Sequence, residues 1–372
     1  MLFRSDVLTP LSNIISRYNA NAIAADFPSM TIVDPNLKNG YVHSYFAGIQ
    51  KRFGNNLSIE TDALGAYSRR LITTDIVNRD FTLASGRLND NLPDISYRSG
   101  QGYANYNALA SIIRYRSGNV LLQGSYTWSH VIDNQSDALT GDFFNLSFTS
   151  IGGGGASGKA AFSKQFDPNV DRANADFDQR HNFVLVAYWT APRYFEGRKL
   201  GTLVRDWTFG GLTAIRSGFP YSLLGTSNVT TGGGLIYNNR PDLINPAAVY
   251  TNQPAAGGVK LLNAAAFQNA AASTLGNIGR NSFRGPGFYN LDLSVAREFR
   301  LPKLGERMRL RIRADAFNFL NHTNLGNPDT LLTSPTFGVA SFGRQGQSSG
   351  FPAISPLNET PRQIQFSARI EF

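Results

Sequence analysis

The chain has 372 residues, a formal net charge of +9 and no cysteine; 42% of its residues are hydrophobic, 12% aromatic and 16% charged. The lack of cysteine excludes disulfides, thiolate metal sites and thiol nucleophiles, and few charges among many aromatics and 36 glycines exclude a disordered chain. Lys and Arg are scattered without a long run, which excludes a nucleic-acid footprint, and no run of 18 apolar residues exists to form a membrane helix.

Residues 1–40 show no period and read as an irregular loop or the truncated end of an upstream segment. The stretch from Met1 to Ala20 lacks the apolar core of a secretory signal, so an exported chain would have its natural start further upstream.

From Tyr41 onward the pattern alternates with period two, the spacing of a strand with one apolar and one polar face. It predicts nine strands, at 41–52, 57–68, 103–116, 120–130, 182–191, 206–220, 288–301, 306–320 and 362–372. In the fourth, Val120, Leu122, Gly124, Tyr126 and Trp128 share a face opposite Gln123, Ser125, Thr127 and Ser129, with Leu121 the apolar exception. In the seventh, Tyr289, Leu291, Leu293 and Val295 alternate with Asn290, Asp292 and Ser294. The eighth sets Met308, Leu310, Ile312, Ala314 and Ala316 against Arg309, Arg311, Arg313 and Asp315. The ninth sets Ile364, Phe366, Ala368, Ile370 and Phe372 against Gln363, Gln365, Ser367, Arg369 and Glu371. Most are about twice as long as the 5 or 6 residues usual in soluble proteins and match the roughly 9–11 that a tilted membrane strand needs.

The connections alternate as well. Gly54-Asn55-Asn56, Ser117-Gly118-Asn119, residues 192–205 and Pro302-Lys303-Leu304-Gly305 read as short links; 69–102, 131–181, 221–287 and 321–361 are long, polar and rich in Gly, Asn and Pro. In a meander every second connection lies at the same end, so one end carries turns and the other large loops, the asymmetry of outer-membrane barrels. The fold expected is all-β, an antiparallel up-and-down transmembrane β-barrel over 41–372. Nine strands is an odd count, and single-chain bacterial barrels are even, so the barrel is expected to be incomplete.

The facing follows from energetics. An Arg on the lipid face costs about 2–4 kcal/mol near the midplane. Arg309, Arg311 and Arg313 therefore face an enclosed interior, where Asp292, Glu298 and Asp315 can pair with them. Such a wall could hold a plug or guide an anionic solute, or merely fill the interior. Tyr67, Tyr103, Tyr126, Trp128, Tyr188, Trp189, Trp207 and Phe299 lie near strand ends, where aromatic rings form interfacial girdles.

Other chemistry finds little support. His43, His130, His181 and His322 have no metal-ligand spacing, and Asp176, Asp178 and His181 lack an accompanying nucleophile elbow. Asp167, Asp171, Asp176 and Asp178 crowd one segment without calcium-loop spacing and read as a solvated loop. Gly152 to Gly155 lacks the Lys of a phosphate loop. Neither a cofactor nor an enzymatic activity is expected.

Several stretches resemble the Oar-like branch of the TonB-dependent transporters: YVHSYFAGIQKRFG (41–54), ADFDQRHNFVLVAYW (175–189), NLDLSVAREFRL (290–301), RIRADAFNFLNHTNLGNP (311–328) and PRQIQFSARIEF (361–372). The last also resembles the signal read by the outer-membrane assembly machinery, with Phe366, Ala368, Ile370 and Phe372 supplying the aromatic end and the alternation before it. The resemblance implies a plugged barrel of about 22 strands that moves a large solute across the outer membrane. Its implied partners are outer-membrane lipid, the assembly machinery, the solute and, only through an N-terminal region missing from this sequence, the TonB complex. The alternatives are a structural or adhesive surface protein and a soluble β-rich binding module.

Overall fold

In the computed structural model the alternating segments form strands because β-branched and aromatic residues on one face and polar residues on the other suit a pleated backbone with two different surroundings. The structure describes residues 30–78, 88–89, 92, 95–136, 162–192, 205–225, 229–231, 234–236, 240–271, 274–301, 308–341 and 361–372. The nine long strands are β1 (Tyr41–Phe53), β2 (Leu57–Val77), β3 (Ile95–Ser117), β4 (Val120–Asp133), β5 (His181–Thr190), β6 (Trp207–Arg216), β7 (Phe288–Arg300), β8 (Arg309–Phe317) and β9 (Gln363–Glu371). They pair antiparallel in chain order, β1 to β9, without a crossover. All nine predicted strands are present. Among the described residues β1 and β9 do not pair with each other, so the sheet is open.

Two of the expected short links are tight hairpins: Phe53 pairs with Leu57, and Ser117 with Val120. Gly54 (φ 59°) and Gly118 (φ 44°) take the left-handed backbone those turns need, which a side chain would strain. The links at 193–204 and 302–307 lie outside the described residues, as do 1–29, 342–360 and the Gly152–Gly155 run. Within 1–40, Met30–Val33 is a short strand that pairs parallel with Ile95–Arg98.

The structure departs from expectation in the long connections. The segment 69–102 is in large part a continuation of the β2–β3 hairpin, which reaches to Val77 and Ile95. The register shifts between Ser68 and Leu71 and again between Leu71 and Thr73, and Arg70 sits at φ 55°. A bulge resets the inward–outward phase, so an alternation that seems to end at Ser68 in fact restarts beyond it.

The segment 221–287 is likewise folded. It contributes Asp242–Leu243, Tyr250–Ala255, Gly258–Leu262, Phe267–Gln268 and Phe283–Arg284, and Val339–Ser341 from the β8–β9 connection joins the middle of it. Tyr221, Leu223, Val249, Leu262, Phe267, Ile278, Phe283 and Phe337 pack there into a buried core. This loop-end cap therefore carries most of the buried apolar side chains.

The nine strands do not build a sandwich. Register puts Tyr45, Ile49, Ile113, Trp128, Phe209, Leu293, Ile312 and Phe366 on one continuous face, where large side chains stay exposed; Phe366 is 77% exposed. Phe46, Leu121 and Leu212 are apolar exceptions on the opposite face.

Candidate functional site

The polar face is a wall of charge. From the short-turn end up to Ser68, the ionised strand residues fall on this face with two exceptions, Lys51 and Arg297. Both exceptions lie at the short-turn rim against aromatic rings: Lys51 Nζ is 5.2 Å from the Phe53 centroid, and the Arg297 guanidinium lies 5.3 Å from Trp207 and 4.7 Å from Phe299. A long cationic side chain there keeps its stem on apolar surface and its head at the polar boundary.

On β7 to β9, Glu298 faces Arg311, Arg300 faces Arg309, and Arg311 faces Arg369. The ion pairs run partly on the diagonal: Arg309 to Glu298 at 2.8 Å, Arg313 to Asp315 at 2.6 Å and Arg369 to Glu371 at 3.3 Å. Arg311 has no ion-pair partner among the described residues. Asp292 does not join the arginines. It sits at the loop end, where its Oδ1 accepts from the Asn318 amide at 2.8 Å and from Asn290 Nδ2 at 2.9 Å. Exposed pairs of this kind contribute about 0.2–1 kcal/mol each, so the wall is not what holds the fold together.

The aromatics divide by level. Tyr126 and Trp128 lie on the apolar face toward the loop end, and the Tyr126 hydroxyl is 2.8 Å from His181 Nδ1. Trp189 and Trp207 lie on the same face at the short-turn end, both stacked on Phe209. Because Trp128 pairs with His181 and Val120 with Trp189, eight positions along β4 separate the two levels. That is about 27 Å along a strand, or roughly 20 Å across a membrane at a tilt near 40°. Tyr188 does not belong with them: it is on the polar face, opposite Leu121 and Gly210. Tyr103 sits under the cap, its hydroxyl 3.3 Å from Asn169 Oδ1. Phe366, Ala368 and Ile370 share the apolar face of β9, and Phe372 beyond the strand is 94% exposed.

At the base of the cap is a feature that sequence reasoning missed. Three of the four aspartates read as a solvated loop, Asp171, Asp176 and Asp178, are buried and held by arginines from more than 60 residues away along the chain, while Asp167 stays half-exposed beside Lys164. Asp171 Oδ1 accepts from Arg240 Nη1 at 2.9 Å. Arg280 lies between the carboxylates of Asp133, at the end of β4, and Asp176, 3.5 Å from the latter. Asp178 accepts from Arg284 at 2.6 Å, Arg180 at 3.1 Å and the Val131 amide at 2.8 Å, with His130 Nδ1 3.1 Å away. Burial pushes the Asp178 carboxyl up, but the bonds from Arg284, Val131, His130 and Arg180 outweigh it and the net shift is down. Asp176 goes the other way: burial, with Asp133 beside it, raises its carboxyl to about 7 against the pull of Arg280 and Asn281. The readable signal was Arg280 and Arg284 set in a glycine-rich stretch with no acidic residue of its own, which leaves them to find carboxylates elsewhere in the chain.

A family model for the outer membrane beta barrel domain matches residues 4–365. The chain belongs to this family. The barrel is accordingly an outer-membrane protein, and the soluble module is set aside. Among curated proteins no relative matches. Similar solved structures include the outer membrane transporter YddB from Escherichia coli (10% identity, 84% of this chain and 32% of that one, TM-score 0.43). Others are the pyoverdine outer membrane receptor FpvA from Pseudomonas aeruginosa (12%, 90% and 30%, 0.42) and the FrpB iron transporter from Neisseria meningitidis (9%, 91% and 32%, 0.39). The barrel spans about a third of the length of each.

Proposed function

We propose that the chain is the C-terminal barrel portion of a TonB-dependent transporter of the Oar-like branch, a non-enzymatic carrier of a large solute across the outer membrane. The observation that supports this best is the segregation of ionised strand residues onto one face of a nine-stranded outer-membrane meander. A wall of that kind suits a wide, water-accessible interior. Arg309, Arg311, Arg313, Asp315 and Glu298, with Asp292 nearer the cap, line that interior in this reading, and Tyr126, Trp128, Trp189 and Trp207 mark the two membrane interfaces.

The open edges of β1 and β9 bear on the same reading. In hydrocarbon an unpaired strand edge leaves N–H and C=O groups unsatisfied at several kcal/mol each, so further strands must meet both edges. Energy would come from the TonB complex acting on a plug inside the closed barrel.

The test compares spent medium from cells with and without the gene. One solute, or a small set, should remain in the medium of the deletion strain, and a protonophore should abolish its uptake in the parent. Identical media from the two strains would favour a structural or adhesive surface role.

A further inference from the structure

The polar face carries a second charged feature, at the short-turn end and far along the sheet from the β7–β9 wall. The two tight hairpins bring the ends of β1 to β4 level there. Register then sets Arg52 opposite Ser58, Ser58 opposite Arg114 and Arg114 opposite Gln123, one row across four strands. Arg116 follows on β3, opposite Leu121. These residues, with Asn55 and Asn56 of the first turn, surround a cavity of about 310 Å³.

The charges in it are unbalanced. Arg114 is held by Glu60 at 2.9 Å. Among the described residues, the side chains of Arg52 and Arg116 make no ion pair and no hydrogen bond. Three arginines against one glutamate leave a net charge of +2 at one opening. The guanidinium is a rigid fork of donors matched to carboxylate and phosphate oxygens, and it is less strongly hydrated than an ammonium. The Gln123, Asn55 and Asn56 amides add neutral donors, and Leu121 supplies an apolar surface. A volume near 300 Å³ is at the small end of ligand sites and exceeds what a single phosphate fills.

The geometry points to a binding site for a small polyanion, an organic phosphate or a polycarboxylate, held between Arg52 and Arg116 at the short-turn end of the polar face. Glu60 fixes Arg114 as a third, partly neutralised donor, so the site favours two separated anionic groups over a monoanion. The site does not depend on the transport reading, because binding to the folded chain needs no transport.

The experiment is calorimetric titration of the full chain, folded in detergent micelles, with citrate and with pyrophosphate at low ionic strength. Saturable binding that weakens as salt rises is expected. The double variant Arg52→Gln/Arg116→Gln should weaken it at least tenfold, and Arg311→Gln on the distant wall should change it less than twofold. Should the double variant fail to fold, Leu121→Glu, which places a carboxylate in the cavity, should give the same loss. Absence of saturable binding by the unaltered chain at millimolar anion overturns the proposal. So does an equal loss in Arg311→Gln, which would mark non-specific attraction to a basic surface.

Discussion

Asp176 is where the electrostatics of the cap are least balanced. It is buried, shares Arg280 with Asp133, and its Oδ2 has no hydrogen-bond partner among the described residues. With its carboxyl raised to about 7 in the fold, against an ordinary value of 3.8, Asp176 holds its proton at pH values where the unfolded chain has lost it. Its contribution to stability is therefore complete below about pH 4 and is lost as pH rises through 7. Asp176→Asn keeps the Oδ1 acceptor for Asn281 and removes the titration. Between pH 4 and 8 the unaltered protein should lose thermal stability relative to this variant, measured as the temperature of heat-induced unfolding in detergent. Parallel profiles for the two proteins would refute the assignment. Arg280→Met acts at the same point by a different route. It leaves the buried Asp133 carboxylate without its cation, and Asp176 without its donor, at a cost of about 3–5 kcal/mol. Limited proteolysis should then cut within 240–290 at least tenfold faster while the strands stay protected.

At the level of the strand, the pattern that made the fold legible also sets the facing. Leu293 and Ser294 are adjacent on β7 and point to opposite faces at the same depth, Leu293 beside Gly211 and Ala316, Ser294 beside Gly210 and Asp315. Leu293→Arg should impair membrane assembly far more than Ser294→Arg, by the roughly 2–4 kcal/mol of an arginine in lipid. Equal yields of heat-resistant folded protein in outer-membrane fractions would undo the face assignment. The nine strands could be read because a strand with two different surroundings must alternate, and β4, β8 and β9 do so with almost no error. The arginine row could be read for the same reason, since 309, 311 and 313 share a face by parity alone. Its partners could not: the pairing of Glu298 with Arg309, and the withdrawal of Asp292 to Asn318, depend on register and on strand ends. The upper β2–β3 hairpin was hidden by the bulge at Arg70. The cap was hidden because Leu223, Leu262, Phe283 and Phe337 are scattered along the chain and meet only in space, as are Asp133, Asp176 and Arg280.

For the molecule as a whole the open sheet is the central fact, and β9, like β1 at the other edge, is exposed along its whole length. Every residue of β9 is exposed, and its outer edge is unpaired among the described residues. Phe366 and Ile370 pair with Ala314 and Leu310 on β8, so their side chains extend the apolar face, while Phe372 has no strand partner among the described residues and is 94% exposed. Phe372→Ser therefore removes little that the folded sheet uses, and its effect on intrinsic stability should stay within about 0.5 kcal/mol, as for other exposed substitutions. If the terminal aromatic residue is instead read during assembly, the same substitution should matter in cells. Folding of the purified variant into detergent or lipid should match the unaltered chain, and the folded fraction in the outer membrane of growing cells should drop several-fold. Phe366→Ser should combine a smaller drop in cells with a modest loss of folding in the purified system, since its ring also covers β8. A loss of folding for Phe372→Ser in the purified system would assign the residue to the sheet itself, and full yield in cells would remove it from the assembly signal.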